Sequence, residues 1–104
     1  MDALVSRGLK VHVSELDVRV NLEGDLTTLT PARSEAQKAR IKDVVSAVMD
    51  LPSANRFAIT LWGLRDGDSW LIDFWGSPEW PLFYDDSFNP QPAYEGFLET
   101  LQGR

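Results

Sequence analysis

The ten residues from Leu9 to Val18, LKVHVSELDV, constrain this chain more than any other stretch. Side chains alternate across a β-strand, so Val11, Val13 and Glu15 are expected on one face, with Asp17 of the same parity. A carboxylate therefore stands at the carboxyl end of an apolar strand, on the side that would otherwise be core. An unpaired buried charge is costly, so Glu15 has a partner, opens onto a cleft, or simply faces water at the strand end. The carboxyl ends of parallel strands are where α/β proteins usually bind ligands and do chemistry.

The rest of the chain reads as helix and strand in alternation. Residues 2–7 look like the tail of a helix, ended by Gly8 in the left-handed position. A chain opening on a last helical turn implies that part of the fold precedes it. Leu9 to Ser14 is a strand, followed by a linker from Leu16 to about Thr30; a hairpin at Glu23-Gly24-Asp25 is the minor alternative, because Val18, Val20 and Leu22 alternate with polar residues. Thr30-Pro31 makes an N-cap and first helical position, and Ile41, Val44, Val45 and Val48 form one apolar stripe. Glu35, Lys38, Lys42 and Asp43 read as that helix's solvated face, and Pro52 stops it. A second strand runs from Phe57 to Trp62. Phe57, Ile59 and Leu61 are expected to face outer helices, with Ala58, Thr60 and Trp62 on the inside of a curved sheet. After a linker from Gly63 to Gln91, Pro92 opens a last helix with Phe97, Leu98 and Leu101 on one side, closed by Gly103.

The linkers are asymmetric. The helix-to-strand turn is short, whereas both strand-to-helix connections exceed the roughly 12 to 15 residues at which structureless loops become uncommon. Long loops confined to the carboxyl ends of strands are how a (β/α)₈ barrel builds an active site. Two βα units make about a quarter of such a barrel and leave both sheet edges open.

Several function classes fall away on composition. The net charge of −6 argues against nucleic acid and anionic membrane surfaces as partners. No apolar run approaches the roughly 20 residues of a membrane span. The opening MDALVSRG lacks the pattern of a signal peptide. Without cysteine, and with His12 as the one histidine, there is no thiol chemistry, no thiolate metal site and no histidine-rich metal cage.

All four tryptophans, Trp62, Trp70, Trp75 and Trp80, lie within the second strand and the loop after it. An indole is a broad apolar platform with one N–H donor, which suits the flat C–H face of a sugar. A phosphate site would instead want Lys, Arg or glycine-rich backbone. Trp62, at a strand end on the inner parity, reads as a site residue; Trp75 and Trp80 read as rings that pack the loop down.

LKVHVSELDV, WGLRDGDSW (Trp62 to Trp70) and PLFYDDSFNPQPAY (Pro81 to Tyr94), in that order and spacing, resemble the C-terminal segment of family 10 glycoside hydrolases, the endo-β-1,4-xylanases. The resemblance spans nearly the whole chain. It implies an α/β fold, a partial (β/α)₈ TIM barrel of two βα units that correspond to strands 7 and 8, with residues 1–104 as the C-terminal fragment of the catalytic domain. It implies that Glu15 is the catalytic nucleophile of a retaining mechanism, which needs a second carboxyl group roughly 5 to 5.5 Å away. Asp17 matches a carboxylate that orients a histidine outside this chain, and Trp62 and Trp70 match tryptophans that bind substrate beside the cleaved bond. The acid/base glutamate and that histidine lie on earlier strands of the family, before this chain begins. His12 has the opposite parity to Glu15 and reads as structural; Gln91 stands where the family commonly has lysine. The resemblance brings no cofactor and no metal. It implies a secreted enzyme, β-1,4-xylan or xylo-oligosaccharides as partners, and a complementing barrel fragment or self-association. The alternative function is a non-catalytic carbohydrate-binding or assembly module derived from such a barrel.

Overall fold

In a computed structural model, which describes residues 1–103, helix and strand alternate around one pair of parallel strands. The elements are α1 (Asp2–Val5), β1 (Val11–Leu16), α2 (Pro31–Met49), β2 (Arg56–Leu61), α3 (Trp70–Trp75) and α4 (Pro92–Gln102). β1 and β2 are neighbours and run parallel, as two consecutive βα units require. No hairpin forms at Glu23-Gly24-Asp25; Gly24 takes φ +67 in a turn whose N–H donates to the Asn21 carbonyl. Among the described residues no helix is long and apolar enough to cross a membrane.

α2 begins where its caps place it. The Thr30 hydroxyl accepts from Arg33 N at 3.3 Å, and Pro31 occupies the first helical position. Its buried stripe is Ile41, Val45 and Val48, extended toward the N-terminus by Ser34 and Gln37, while Val44 is half-buried. Lys38 and Lys42 are not simply solvated. Both reach across to α4 and pair with Glu99, at 3.0 and 2.6 Å.

The core lies between the strand pair, α2 and α4. Leu16, Ile41, Val45, Phe83 and Ala93 are buried there, with Val13, Ile59, Leu61 and Phe97 packed around them. Phe83 meets the rings of Tyr94 and Phe97 at 5.9 and 5.2 Å. Three expectations about sides are corrected by this packing. Leu98 and Leu101 are exposed, because α4 turns Ala93, Gly96 and Phe97 toward α2. Phe57 is also exposed: the register steps one residue along β1 and two along β2 between Val11↔Arg56 and His12↔Ala58, so Phe57 is the extra residue and its ring meets the edge of His12 at 5.2 Å. Leu16, expected in the linker, is instead the last residue of β1 and part of the core.

α2 and α4 are in close contact at Gly96, where a Cβ would stand 2.9 Å from Lys38 Cγ and 3.0 Å from Lys38 O. A larger residue has to push the helices apart. Gly96→Val is expected to destabilise the chain by about 1–3 kcal/mol, seen as a lower urea midpoint with an unchanged slope.

Candidate active site

The strand-end carboxylate owes its position to a break in alternation. Val13 pairs with Ile59 and Leu16 with Leu61, so two residues of β1, Ser14 and Glu15, stand opposite the single Thr60. Glu15 takes φ 61, a left-handed conformation that side chains other than glycine seldom adopt. This bulge sends Leu16 into the core and leaves Glu15 exposed. The alternation argument that put Glu15 on the side of Val13 is therefore corrected: Val13 packs against the helices, and Glu15 does not follow it.

Trp62 follows β2 directly, and its N–H donates to the Leu16 carbonyl at 3.1 Å, which carries the strand pairing one residue beyond the sheet. Its side chain is 49% exposed. The chain turns at once at Gly63, with φ 122, where a Cβ would lie 2.9 Å from Leu82 Cδ1. Trp70 opens α3, and its indole Nε1–H donates to Asp17 Oδ2 at 3.1 Å. Burial pushes the Asp17 carboxyl above its ordinary range; the Trp70 hydrogen bond opposes this, while the charges of Glu79 and Glu15 add to it. Asp17 and Trp70 are thus brought into contact. The Trp62 backbone is hydrogen-bonded to Leu16, the residue before Asp17, and the Glu15 charge adds to the rise of the Asp17 carboxyl. His12 is part of the sheet: its Nε2 hydrogen-bonds Thr60 Oγ1 at 2.8 Å. Among the described residues no group of histidines and carboxylates is arranged to hold a metal.

Both long loops are held by buried polar side chains that sequence patterns do not single out. Glu79 accepts from the backbone N–H of Val20 at 2.6 Å and Asn21 at 3.2 Å, and from Arg19 Nε at 3.2 Å. Asn21 donates to the carbonyls of Leu26 and Pro78 and accepts from Leu26 N. Gln37 of α2 donates to the Val18 and Trp80 carbonyls, so the helix holds both loops at once. Trp80 is half-buried, as a packing ring should be, but Trp75 is 54% exposed under the Arg19 guanidinium, against expectation. The exposure follows from α3, a short helix that turns Trp75 outward at its end. The one cue to α3 is Ser69-Trp70, whose Ser caps Leu71 N at 3.2 Å.

The profile of glycosyl hydrolase family 10 matches residues 1–100. The chain belongs to this family. It is 39% identical to endo-1,4-β-xylanase A of Cellvibrio japonicus over 96% of its own length and 18% of the relative's. It is 36% identical to the solved structure of native xylanase 10C from Cellvibrio japonicus, with a TM-score of 0.91 over 99% of this chain and 24% of that one. A mutant of the same xylanase in complex with xylopentaose gives a TM-score of 0.86 at 36% identity, over 95% of this chain and 22% of that one. The chain thus spans less than a quarter of these relatives, and its two-stranded parallel sheet fits one portion of the family's TIM barrel.

In the family's third motif, Gln91 is buried and Nε2 donates to Asp66 Oδ2 at 2.7 Å and to the Leu82 carbonyl at 3.2 Å. Asp66, 4% exposed, also accepts from Leu82 N at 2.9 Å, and so fixes the turn after Trp62 to the chain before α4. Both partners are neutral. Burial pushes the Asp66 carboxyl up to about 6, helped by the nearby charges of Asp86 and Asp85. An acid with a raised folded pKa takes up its proton in the folded state first, so between pH 7 and about pH 4 the contribution of Asp66 to stability rises as pH falls. The expected gain is up to roughly 3 kcal/mol, the worth of about two pKa steps. In urea melts across that range the stability of the native chain should rise relative to that of Asp66→Asn as pH falls; the same pH dependence in both would exclude Asp66 as a source.

Proposed function

We propose that this chain is the C-terminal portion of a retaining endo-β-1,4-xylanase, contributing strands 7 and 8 of the barrel with their helices, and that Glu15 is its nucleophile. The observation that carries the reading is an exposed carboxylate, Glu15, kinked out at the carboxyl end of a parallel strand pair, two residues before an Asp17 that takes the indole hydrogen bond of Trp70, with Trp62 following the neighbouring strand. Glu15 would attack the anomeric carbon of a β-linked xylose and form a covalent glycosyl-enzyme. The departing sugar oxygen would take its proton from an acid/base group on a strand outside this chain. Water activated by the same group would then free the sugar from Glu15 with net retention.

Asp17 serves as a positioning residue in this reading. Trp70 engages one of its oxygens, which leaves the other to orient a histidine on a neighbouring strand of the completed barrel. Trp62 and Trp70 supply ring faces for the sugar at the cleaved bond. The polysaccharide is too large to cross a membrane, so such an enzyme works outside the cell. The open edges of β1 and β2 receive the adjoining strands, and a shared barrel is the expected state of this chain in the active enzyme.

The test joins this chain to the preceding segment of the 39% identical Cellvibrio xylanase and assays β-1,4-xylan. The chimera should hydrolyse xylan, and Glu15→Gln should lower kcat by roughly 10⁴-fold or more with little change in binding. Turnover that survives Glu15→Gln would remove Glu15 from the chemistry. Binding of xylo-oligosaccharide by a folded chimera that never turns over would favour a carbohydrate-binding module instead.

A further inference from the structure

Three aromatic rings run outward from the site along α3. Trp70, whose indole holds Asp17, lies 5.4 Å from Phe74, and Phe74 lies 4.9 Å from Trp75. They are 45%, 66% and 54% exposed, an unusual concentration of apolar ring surface on six residues. The outermost ring is not loose. Arg19 lies over the Trp75 ring at 4.9 Å from its centroid, and Arg19 is itself fixed by Glu79, a buried carboxylate anchored on two backbone N–H groups. An exposed indole that stacks under an arginine held by a buried carboxylate is organised before any ligand arrives, which lowers the cost of binding.

We propose that Phe74 and Trp75 form an accessory subsite for a β-1,4-linked pyranose chain, continuous with the site at Trp70. The proposal rests on the functional reading above, because continuity with that site is what selects the occupant. Neutral sugars fit the surface chemistry. The rings offer apolar platforms and Arg19 offers N–H donors, whereas Asp73 and the net charge of −6 disfavour an anionic ligand. Successive rings are turned by 56° and 85°, which suits a flexible sugar chain better than a flat aromatic ligand. A polymer held there gains contacts that a disaccharide in the site does not reach.

The test uses the full chain and the four indole N–H signals in proton–nitrogen correlation spectra, titrated separately with xylobiose and xylohexaose. Xylohexaose should shift the signals of Trp62, Trp70 and Trp75, and xylobiose those of Trp62 and Trp70 alone. Trp75→Ala and Phe74→Ala should each weaken xylohexaose binding by roughly three- to tenfold and leave xylobiose affinity unchanged. A Trp75 signal that stays still while Trp62 and Trp70 move overturns the accessory subsite and spares the functional reading. Movement of Trp75 without Trp62 or Trp70 overturns both, because it removes the continuity on which the subsite depends. Equal losses for both sugar lengths, or no movement at all, overturn the subsite.

Discussion

The site rests on one residue adopting an unfavourable backbone conformation. Strict alternation would carry Val13 and Glu15 to the same face, and that face is packed against α2 and α4. A carboxylate there would lose its hydration without a partner. The bulge at Ser14-Glu15 resolves the conflict by adding one residue to β1, so that Leu16 rather than Glu15 meets the core opposite Leu61. The left-handed φ of Glu15 costs on the order of 1–2 kcal/mol. Burying the Leu16 side chain contributes about 1.5–3 kcal/mol, enough to offset it. One local distortion therefore secures the core and leaves an acid exposed at the end of the strand.

The loops then need to be held without regular structure of their own. Buried hydrogen-bonding side chains do this. Glu79 gathers the backbone after Asp17, Asn21 links that segment to Pro78, and Gln37 ties both to α2. Asp66 performs the matching task between the turn after Trp62 and the start of α4. Each is worth more in the interior than at the surface, since an unmet N–H or carbonyl there carries a full desolvation penalty. The result is a hydrogen-bonded frame that carries Trp62, Trp70 and the half-buried Asp17.

Much of the fold was legible because it follows from short-range rules. Thr30-Pro31 capped α2, Pro92 opened α4, and the stripe from Ile41 to Val48 faces the core. The parallel pairing followed from a helix lying between two apolar strands. What stayed hidden depends on contacts distant in sequence. The two bulges, which free Phe57 from the helices and part Glu15 from Val13, reflect register between strands about 45 residues apart. The roles of Glu79 and Asn21 depend on loops that meet only after folding, and α3 is too short to declare itself by periodicity. At the candidate site, the motifs singled out Glu15, Asp17, Trp62 and Trp70 as candidates, while the Trp70–Asp17 hydrogen bond and the backbone reversal at Glu15 needed coordinates.

In the proposed function this reversal aims Glu15, and no other acid of the chain, at the anomeric carbon of the substrate. A 2-deoxy-2-fluoro-xylobioside with a good leaving group slows both steps of a retaining reaction and lets the glycosyl-enzyme accumulate. Treating the completed barrel with it and mapping the adduct by peptide mass spectrometry tests the claim directly. One added fluoroxylobiosyl group is expected, on Glu15. An adduct on Asp17 or any other residue, or inactivation with no adduct, would contradict it.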